Sequence, residues 1–299
     1  AKEDLALLES LTIRRPSITE RMAAGKALRE RVPRKSHANY YADPNRPDPI
    51  EILERQNATR VQKLVPVRYS RMLASPFAFL RGSAAVMASD LSTLPVSGIR
   101  AGACGDMHVS NFGVYGTAER SLVFSISDFD EVYVGPWEWD LKRLAASATV
   151  AAKFMDGDEA QSEDVARQCV RSYRKHIRRY AEMGYLKVWY DRIDERVILD
   201  SLTPKSRRIA KKMMKRARAR GHITTLDKLT ERVKGRYRFV EDRPLIVRET
   251  HTESGTPVKV DLDRLLRAYI DSLSYDRKVL LSRYHIIDVD DLRRAAERA

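Results

Sequence analysis

Two carboxylates and a carboxamide in the middle of the chain are of the types that metal-assisted chemistry on phosphates requires. Asp106 lies five residues before Asn111 in the stretch GACGDMHVSNFG, and Asp128 follows shortly afterwards. Mg²⁺ is usually held by one or two carboxylates, waters and the substrate's own phosphates. Asp128 and Asn111 are therefore our predicted magnesium ligands, and Asp106 remains free to orient an attacking hydroxyl or to accept its proton. The alternative is a solvated turn between two strands.

Short strands are expected to hold these side chains in place. VSGIRAGAC suits a strand that enters Gly105, and FGVY and SLVFSIS suit a hairpin, with GTAER as its turn and Asp128 at its end. After DFDEVYV, Gly135-Pro136 is predicted to make a turn before a helix starts around Trp139. The ends of strands hold the backbone still while their side chains remain free to meet, which favours a catalytic interpretation.

Most of the remaining chain reads as helix, so the predicted fold class is α+β and predominantly helical. The predicted helices are 48–75 (broken near Pro66), 138–155, 159–183 and 261–273. RYRFVED and PLIVRET are predicted to be extended. The segment HANYYADPNRPDP marks the expected boundary between an N-terminal helical region with its linker, 1–47, and the rest of the chain, 48–299.

The charge of the chain favours anionic partners. The formal net charge is +14 over 299 residues, a surplus that attracts nucleotides, nucleic acids or other polyanions. The segment 205–220, KSRRIAKKMMKRARAR, contains nine Lys or Arg with the apolar spacing of a helix. It predicts either a nucleic-acid or phosphate surface or an ordinary solvated helix face. The segment has no aromatic residue to stack on a base.

Several classes of protein do not fit the sequence. No run approaches the roughly 18 apolar residues of a membrane span, and the N-terminus lacks the layout of a secretory signal. We therefore expect a soluble, cytoplasmic protein without a membrane partner. Two cysteines cannot form a disulfide framework, and six scattered histidines show no zinc-ligand spacing.

The sequence resembles two known families. The pattern Gly-Asp-x-His-x-x-Asn, a strand pair, Asp-Phe-Asp and then Gly-Pro-x-x-x-Asp-Leu is similar to the catalytic segment of aminoglycoside phosphotransferases and related small-molecule kinases of the protein-kinase-like superfamily. Over most of its length, including SPFAFLRGSAAVM, PWEWDLKRLAAS and KLTERVKGR, the chain resembles a bacterial family known as domain-of-unknown-function family 2252.

The resemblance implies the catalytic, C-terminal lobe of a kinase-like fold with a small β hairpin, over residues 48–299. It makes Asp106 the catalytic aspartate, and Asn111 and Asp128 the ligands of Mg²⁺ that accompanies ATP. His108 stands where the phosphotransferase loop also has histidine, as a catalytic-loop residue that shapes the loop more than it transfers a proton. Asp140 resembles the acid that braces the catalytic loop in such folds; the alternative is an ordinary acid at a helix N-terminus.

Two further residues are candidates for contact with the nucleotide. Asp130 is either an acid that supports the metal ligands from outside or an exposed turn residue. Arg81, in Arg-Gly-Ser before an apolar helix, is a candidate for binding phosphate at a helix start; the alternative is a surface arginine.

The chain also departs from the kinase pattern. No glycine-rich loop or strand lysine precedes Gly105, although kinases use both to hold the triphosphate. We therefore expect a permuted fold, or one without the usual nucleotide-clamping lobe. The predicted function is Mg-ATP-dependent transfer of a phosphoryl or nucleotidyl group to an unknown small-molecule or protein hydroxyl. The alternatives are an inactive kinase-like protein that binds nucleotide or a partner, and a nucleic-acid-binding protein.

Overall fold

The fold combines many helices with small antiparallel sheets, which confirms the α+β, predominantly helical class. The computed structural model describes residues 13–39, 43–117, 119, 121–219, 229–240 and 258–284. The helices of these residues are α1 Ile18–Arg31, α2 Pro49–Asn57, α3 Val65–Met72, α4 Pro76–Gly82, α5 Ala84–Ser92, α6 Trp137–Phe154, α7 Glu159–Glu182, α8 Tyr185–Tyr190, α9 Glu195–Ser201, α10 Pro204–Ala219, α11 Val258–Ser272 and α12 Tyr275–Leu281. The strands are β1 Arg100–Ala103, β2 Phe112–Gly116, β3 Leu122–Ile126, β4 Tyr133–Pro136, β5 Ile193–Asp194, β6 Thr230–Val233 and β7 Arg236–Phe239.

Local capping chemistry sets the starts of several helices. Asp158 accepts a hydrogen bond from the Gln161 N–H while the Gln161 side chain bonds back, so that a complete capping box opens α7. Asp48 caps α2 in front of Pro49, whose missing N–H costs nothing at a first helical position. The break predicted near Pro66 is confirmed, since the chain between α2 and α3 leaves the α-helical path and makes a short 3₁₀ turn, Gln62–Leu64.

The central hairpin forms as predicted. β2 and β3 pair antiparallel with Phe112 opposite Ile126, and β5 adds to the outer edge of β3. The rings of Phe112 and Phe124 stack with centroids 5.7 Å apart, which stabilises one face of the hairpin. Asp128 leaves the end of this hairpin two residues after β3.

The turn predicted at Gly135-Pro136 is wrong. Both residues belong to β4, which pairs antiparallel with β1 and places Gly135 opposite Ala101. The ring of Tyr133 lies where a Cβ on residue 135 would stand, at 2.2 Å, so glycine is required for packing and not for a turn. Pro136 is the last residue of an edge strand and the N-cap residue of α6. Its missing N–H is tolerated there, because no hydrogen bond to a neighbouring strand is needed at this position.

The chain divides into two compact units. One comprises Ala1–Thr59 with Tyr69–Leu202, and the other comprises Arg60–Arg68 with Thr203–Ala299. The boundary predicted between residues 47 and 48 stays a prediction. In the first unit, Leu53, Met72 and Val86 form a buried cluster, and α6 packs along α7.

The second unit contains the basic helix and a separate hairpin. The helix predicted for 205–220 is confirmed as α10, with Met214 buried. Of the predicted extended pair, RYRFVED forms β7, whose partner is β6; PLIVRET lies outside the described residues. In the described part of the chain, no helix is long and apolar enough to span a bilayer.

Candidate active site

One face of α6 holds the loop of residues 104–111, here called the Asp106 loop. Asp140, Arg143 and Ser147 follow one another at intervals of three and four residues, so their side chains project from the same face of the helix. The Asp140 carboxylate accepts hydrogen bonds from the N–H groups of Cys104 at 2.7 Å and Gly105 at 3.1 Å. The predicted brace is therefore confirmed. Ser147, which is fully buried, accepts from the Val109 N–H at 3.1 Å.

Arg143 pairs with the predicted catalytic aspartate. Its Nε donates to Asp106 Oδ1 at 2.7 Å, and its Nη2 contacts the same oxygen. Nη2 also donates to the Leu80 carbonyl at 2.8 Å. Only 2% of Arg143 is exposed. Asp106 therefore provides the negative charge that pairs with this buried cation, and 21% of the Asp106 side chain is exposed.

His108 contacts that second oxygen. Its Nε2 lies 3.4 Å from Asp106 Oδ2, and its ring meets Phe77 edge-on with centroids 6.5 Å apart. Burial alone would raise the pKa of Asp106, but the His108 hydrogen bond and the Arg143 charge outweigh it and lower the pKa below its usual value of 3.8. His108 is itself buried. This geometry agrees with a residue that shapes the loop.

Asn111 connects the two acidic segments. Its Nδ2 donates to the backbone carbonyls of Asp106 at 3.1 Å and Asp128 at 3.2 Å. Its carbonyl oxygen Oδ1 faces the Ser127 hydroxyl at 3.4 Å, and Ser127 also donates its backbone N–H to the Asn111 backbone carbonyl at 2.9 Å. One buried amide therefore ties the Asp106 loop to the segment that carries Asp128.

The acids that follow the hairpin are oriented towards solvent. Asp128 and Asp130 are both exposed, and Asp130 is engaged in interactions of its own. Among the described residues, no group of three or more His, Cys, Asp or Glu side chains is arranged to hold a metal ion. A cation bound at Asp128 would therefore need further oxygen ligands from water or from a substrate.

Arg81 lies in the last turn of one helix, just before the helix start at which it was predicted to bind phosphate. It is exposed in the last turn of α4, two residues before Ser83, which precedes α5. Leu80, its neighbour, provides the carbonyl that binds Arg143. The assignment of Arg81 to phosphate stays a prediction.

Gly105 gives the loop its turn. Its φ is +83°, and a Cβ at this position would meet the Glu131 carbonyl oxygen at 2.2 Å. The left-handed conformation and the close backbone approach together require glycine.

Arg143 and Ser147 were not predicted from the sequence. The helix 138–155 was recognised by its apolar stripe, and polar residues three and four positions apart within such a stripe are a signal for buried polar contacts. Their partners in the Asp106 loop lie 37 and 38 positions away, however, and spacing along one helix does not reveal them.

Comparison with known proteins identifies the family of the chain. The chain matches, over residues 60–293, the model of a family described as an uncharacterized protein conserved in bacteria, the domain-of-unknown-function family 2252. No curated protein and no solved structure matches the chain significantly.

Proposed function

The chain belongs to this bacterial family, and we propose that it is a phosphotransferase that uses Mg-ATP to phosphorylate, or nucleotidylate, a hydroxyl-bearing acceptor. Asp106 orients the acceptor hydroxyl, and Asp128 with Asn111 provides oxygens for the metal. His108 shapes the loop, while Arg81 and Asp130 are the candidates for contact with the nucleotide.

The observation that carries the proposal is the frame around Asp106 and Asp128. Asp140 fixes one end of the loop, and Asn111 links the backbone carbonyls of both acids through a single nitrogen. Catalysis of phosphoryl transfer consists mostly of positioning and charge stabilisation. A loop whose backbone is bonded at several points can supply such positioning.

The metal donors agree with a cation that arrives with its nucleotide. Asp128 offers an exposed carboxylate, and within the described part of the chain Asn111 Oδ1 has only the long contact with Ser127. Mg²⁺ commonly takes one or two protein oxygens and completes its octahedron with waters and phosphates. When bound, it would neutralise charge that develops on the phosphates.

The chemistry assigned to the chain's own residues is limited to positioning and proton acceptance. A bond forms between the acceptor oxygen and phosphorus as the bond from phosphorus to the leaving group breaks. The hydroxyl proton passes to Asp106 Oδ2 and from there to solvent. Because the pKa of Asp106 is lowered by His108 and Arg143 against the effect of burial, it is a weak base, and its main contribution is to orient the hydroxyl.

Transfer of phosphate to a panel of hydroxyl acceptors tests the proposal. With Mg-ATP as donor, and serine peptides, sugars and amino-alcohols as acceptors, the native chain should release ADP and form a phosphorylated product. Asp106→Asn should lower the rate at least ~100-fold, the usual scale for a catalytic acid or base, whereas Asp164→Asn, at an exposed acid on α7, should leave it unchanged. Equal turnover in Asp106→Asn would remove Asp106 from the mechanism. Nucleotide binding without turnover would favour the inactive nucleotide-binding alternative.

A second candidate function, polyanion binding, is favoured by the charge of α10. Its sequence, PKSRRIAKKMMKRARA, contains no acid. Lys211, Lys212 and Lys215 are exposed, while Met214 is buried. These three cations are thus accessible to solvent, as a phosphate-binding surface requires.

Salt dependence tests this second candidate. Binding of single-stranded RNA should weaken steeply as the salt concentration rises, because each neutralised phosphate releases a counterion. The logarithm of the binding constant should fall with the logarithm of the salt concentration, with a slope of about 0.7 per phosphate contact for single strands. Replacing Lys211, Lys212 and Lys215 by Gln should reduce that slope by about two. Native binding that is absent or independent of salt would contradict a polyanion surface on α10.

A further inference from the structure

The short helix α8 presents three aromatic rings to solvent. Tyr185, Trp189 and Tyr190 are 71%, 83% and 71% exposed, and Leu186 is 70% exposed. At about 100° per residue, these four side chains occupy roughly 140° of the helix circumference, and they form one surface, here called the aromatic face. In the part of the chain that the structure describes, none of the three rings stacks on another ring or makes a side-chain hydrogen bond.

Contacts with α7 hold α8 in place. Two residues separate the end of α7 at Glu182 from Tyr185. Asp191, which directly follows α8, accepts a hydrogen bond from Arg179 at 2.9 Å, and the guanidinium of Arg179 lies over the ring of Tyr180 at 5.5 Å from its centroid. Both ends of α8 are therefore attached to the end of α7, and the aromatic face has a fixed support.

The segment that carries the aromatic face is basic. Residues 171–196 contain eight Lys or Arg against four Asp or Glu, so that an anionic partner is favoured over a cationic one. Arg174 and Lys175 on α7 and Lys187 on α8 are exposed, and they make no ion pair with another described residue. These three cations are therefore available to a ligand.

A partner for this segment must combine negative charge with flat apolar groups. Single-stranded nucleic acid does so, because its unpaired bases stack on aromatic side chains while its phosphates bind Lys and Arg. A stable protein interface needs about 20 residues on each side, whereas the aromatic face consists of four side chains on a helix of six residues. Stacking needs no such area, since each base requires only one ring.

From these features we propose that the aromatic face of α8 binds the unpaired bases of a single-stranded nucleic acid, while Lys187 and the basic end of α7 contact its phosphates. This binding requires no phosphotransfer. It also differs from attraction of polyanions to α10, because it depends on the bases as well as on the phosphates.

Two strands of equal charge separate stacking from general attraction. Oligothymidylate, titrated into the full chain, should bind and quench the fluorescence of Trp189 as a base stacks on the indole. An abasic strand of the same length carries the same phosphates, and it should bind at least ~5-fold more weakly, the lower end of the contribution of one stacked base. Trp189→Phe should remove the fluorescence change but keep most of the affinity, because phenylalanine still offers a ring.

Substitution of the exposed rings provides the second arm of the test. Trp189→Ala should weaken binding of labelled oligothymidylate at least ~5-fold in fluorescence anisotropy, with the salt dependence unchanged because no phosphate contact is removed. Tyr275→Ala, at a ring of α12 that is 82% exposed, is the matched control and should leave the affinity unchanged.

Several results would overturn the proposal. Equal affinity for the abasic strand would assign binding to charge alone, and unchanged affinity in Trp189→Ala, or an equal loss in Tyr275→Ala, would remove the aromatic face from the contact. Binding of anionic lipid vesicles without binding of oligothymidylate would assign the aromatic face to a membrane surface instead.

Discussion

At the scale of single residues, the pair of Arg143 and Asp106 dominates the candidate site. Arg143 is almost fully buried, and among the described residues the carboxylate of Asp106 is the one that pairs with it. Removing one member of such a pair leaves an uncompensated charge, which costs more than the pair itself contributes. The pair is therefore part of the fold as well as of the proposed chemistry.

This double role predicts a measurable coupling in stability. Asp106→Ala should lower the free energy of unfolding by about 3 kcal/mol, because the Arg143 charge stays buried without a partner. Arg143→Met in the same chain should restore part of that loss, since the charge is then gone. Urea unfolding of the two single variants and the double variant measures the coupling. Strictly additive losses would show that the two side chains do not depend on each other.

The lowered pKa of Asp106 predicts a dependence of stability on pH. A carboxyl group whose pKa is lower in the folded than in the unfolded protein stabilises the fold above its unfolded value of about 3.8, and this contribution disappears as the pH falls through the folded value. Urea unfolding at about pH 5 and about pH 3 should therefore show a larger loss in the native chain than in Asp106→Asn. An identical loss in both proteins would argue against a shifted Asp106.

Cys104, at the start of the loop, should be unreactive. Burial and the nearby Asp140 carboxylate raise the pKa of its thiol to about 11 from a usual value of 9.0. At pH 8 the thiolate fraction is then about a hundredfold smaller than that of an ordinary thiol. Alkylation by iodoacetamide, followed site by site by mass spectrometry, should be slower by at least that factor at Cys104 than for a cysteine peptide. Modification at the peptide's rate would show that the loop opens readily.

At the scale of elements, α6 and the loop that it holds form the unit of the site. The hairpin β2–β3 was predictable because alternating residues and a short turn are local signals. The pairing of β1 with β4 was not, because its partners are 30 to 36 positions apart and Gly135-Pro136 has the composition of a turn. The Asp140 brace could be predicted only from a family resemblance, whereas Arg143 needed the three-dimensional structure.

The tight start of the loop predicts a strong requirement for glycine. Gly105→Ala should destabilise the chain by about 2 kcal/mol or more, because alanine is strained at positive φ and its Cβ meets the Glu131 carbonyl. Gly102→Ala is the matched control, since a Cβ there meets nothing within 4 Å. Thermal unfolding of both variants provides the comparison. Equal stability of the two would contradict the described backbone of residue 105.

At the scale of the whole molecule, the pattern of apolar residues predicted the class of the fold and, with the charge, the basic helix, but not the partner. The net charge of +14 is a property of the entire surface, and it attracts nucleotides and nucleic acids alike. Family membership covers residues 60–293, and the family's description leaves the activity open. The chemistry must therefore be argued from the site, where Asp106, Asn111 and Asp128 are connected.

The most direct test is calorimetric titration of the chain with ATP, with and without Mg²⁺, beside the variants Asp128→Ala and Asp164→Ala. The proposed site predicts saturable binding to the native chain that requires the metal, that is lost in Asp128→Ala and that persists in Asp164→Ala. Binding of equal strength in Asp128→Ala, or no binding to the native chain with Mg²⁺ present, would contradict a nucleotide site at this loop.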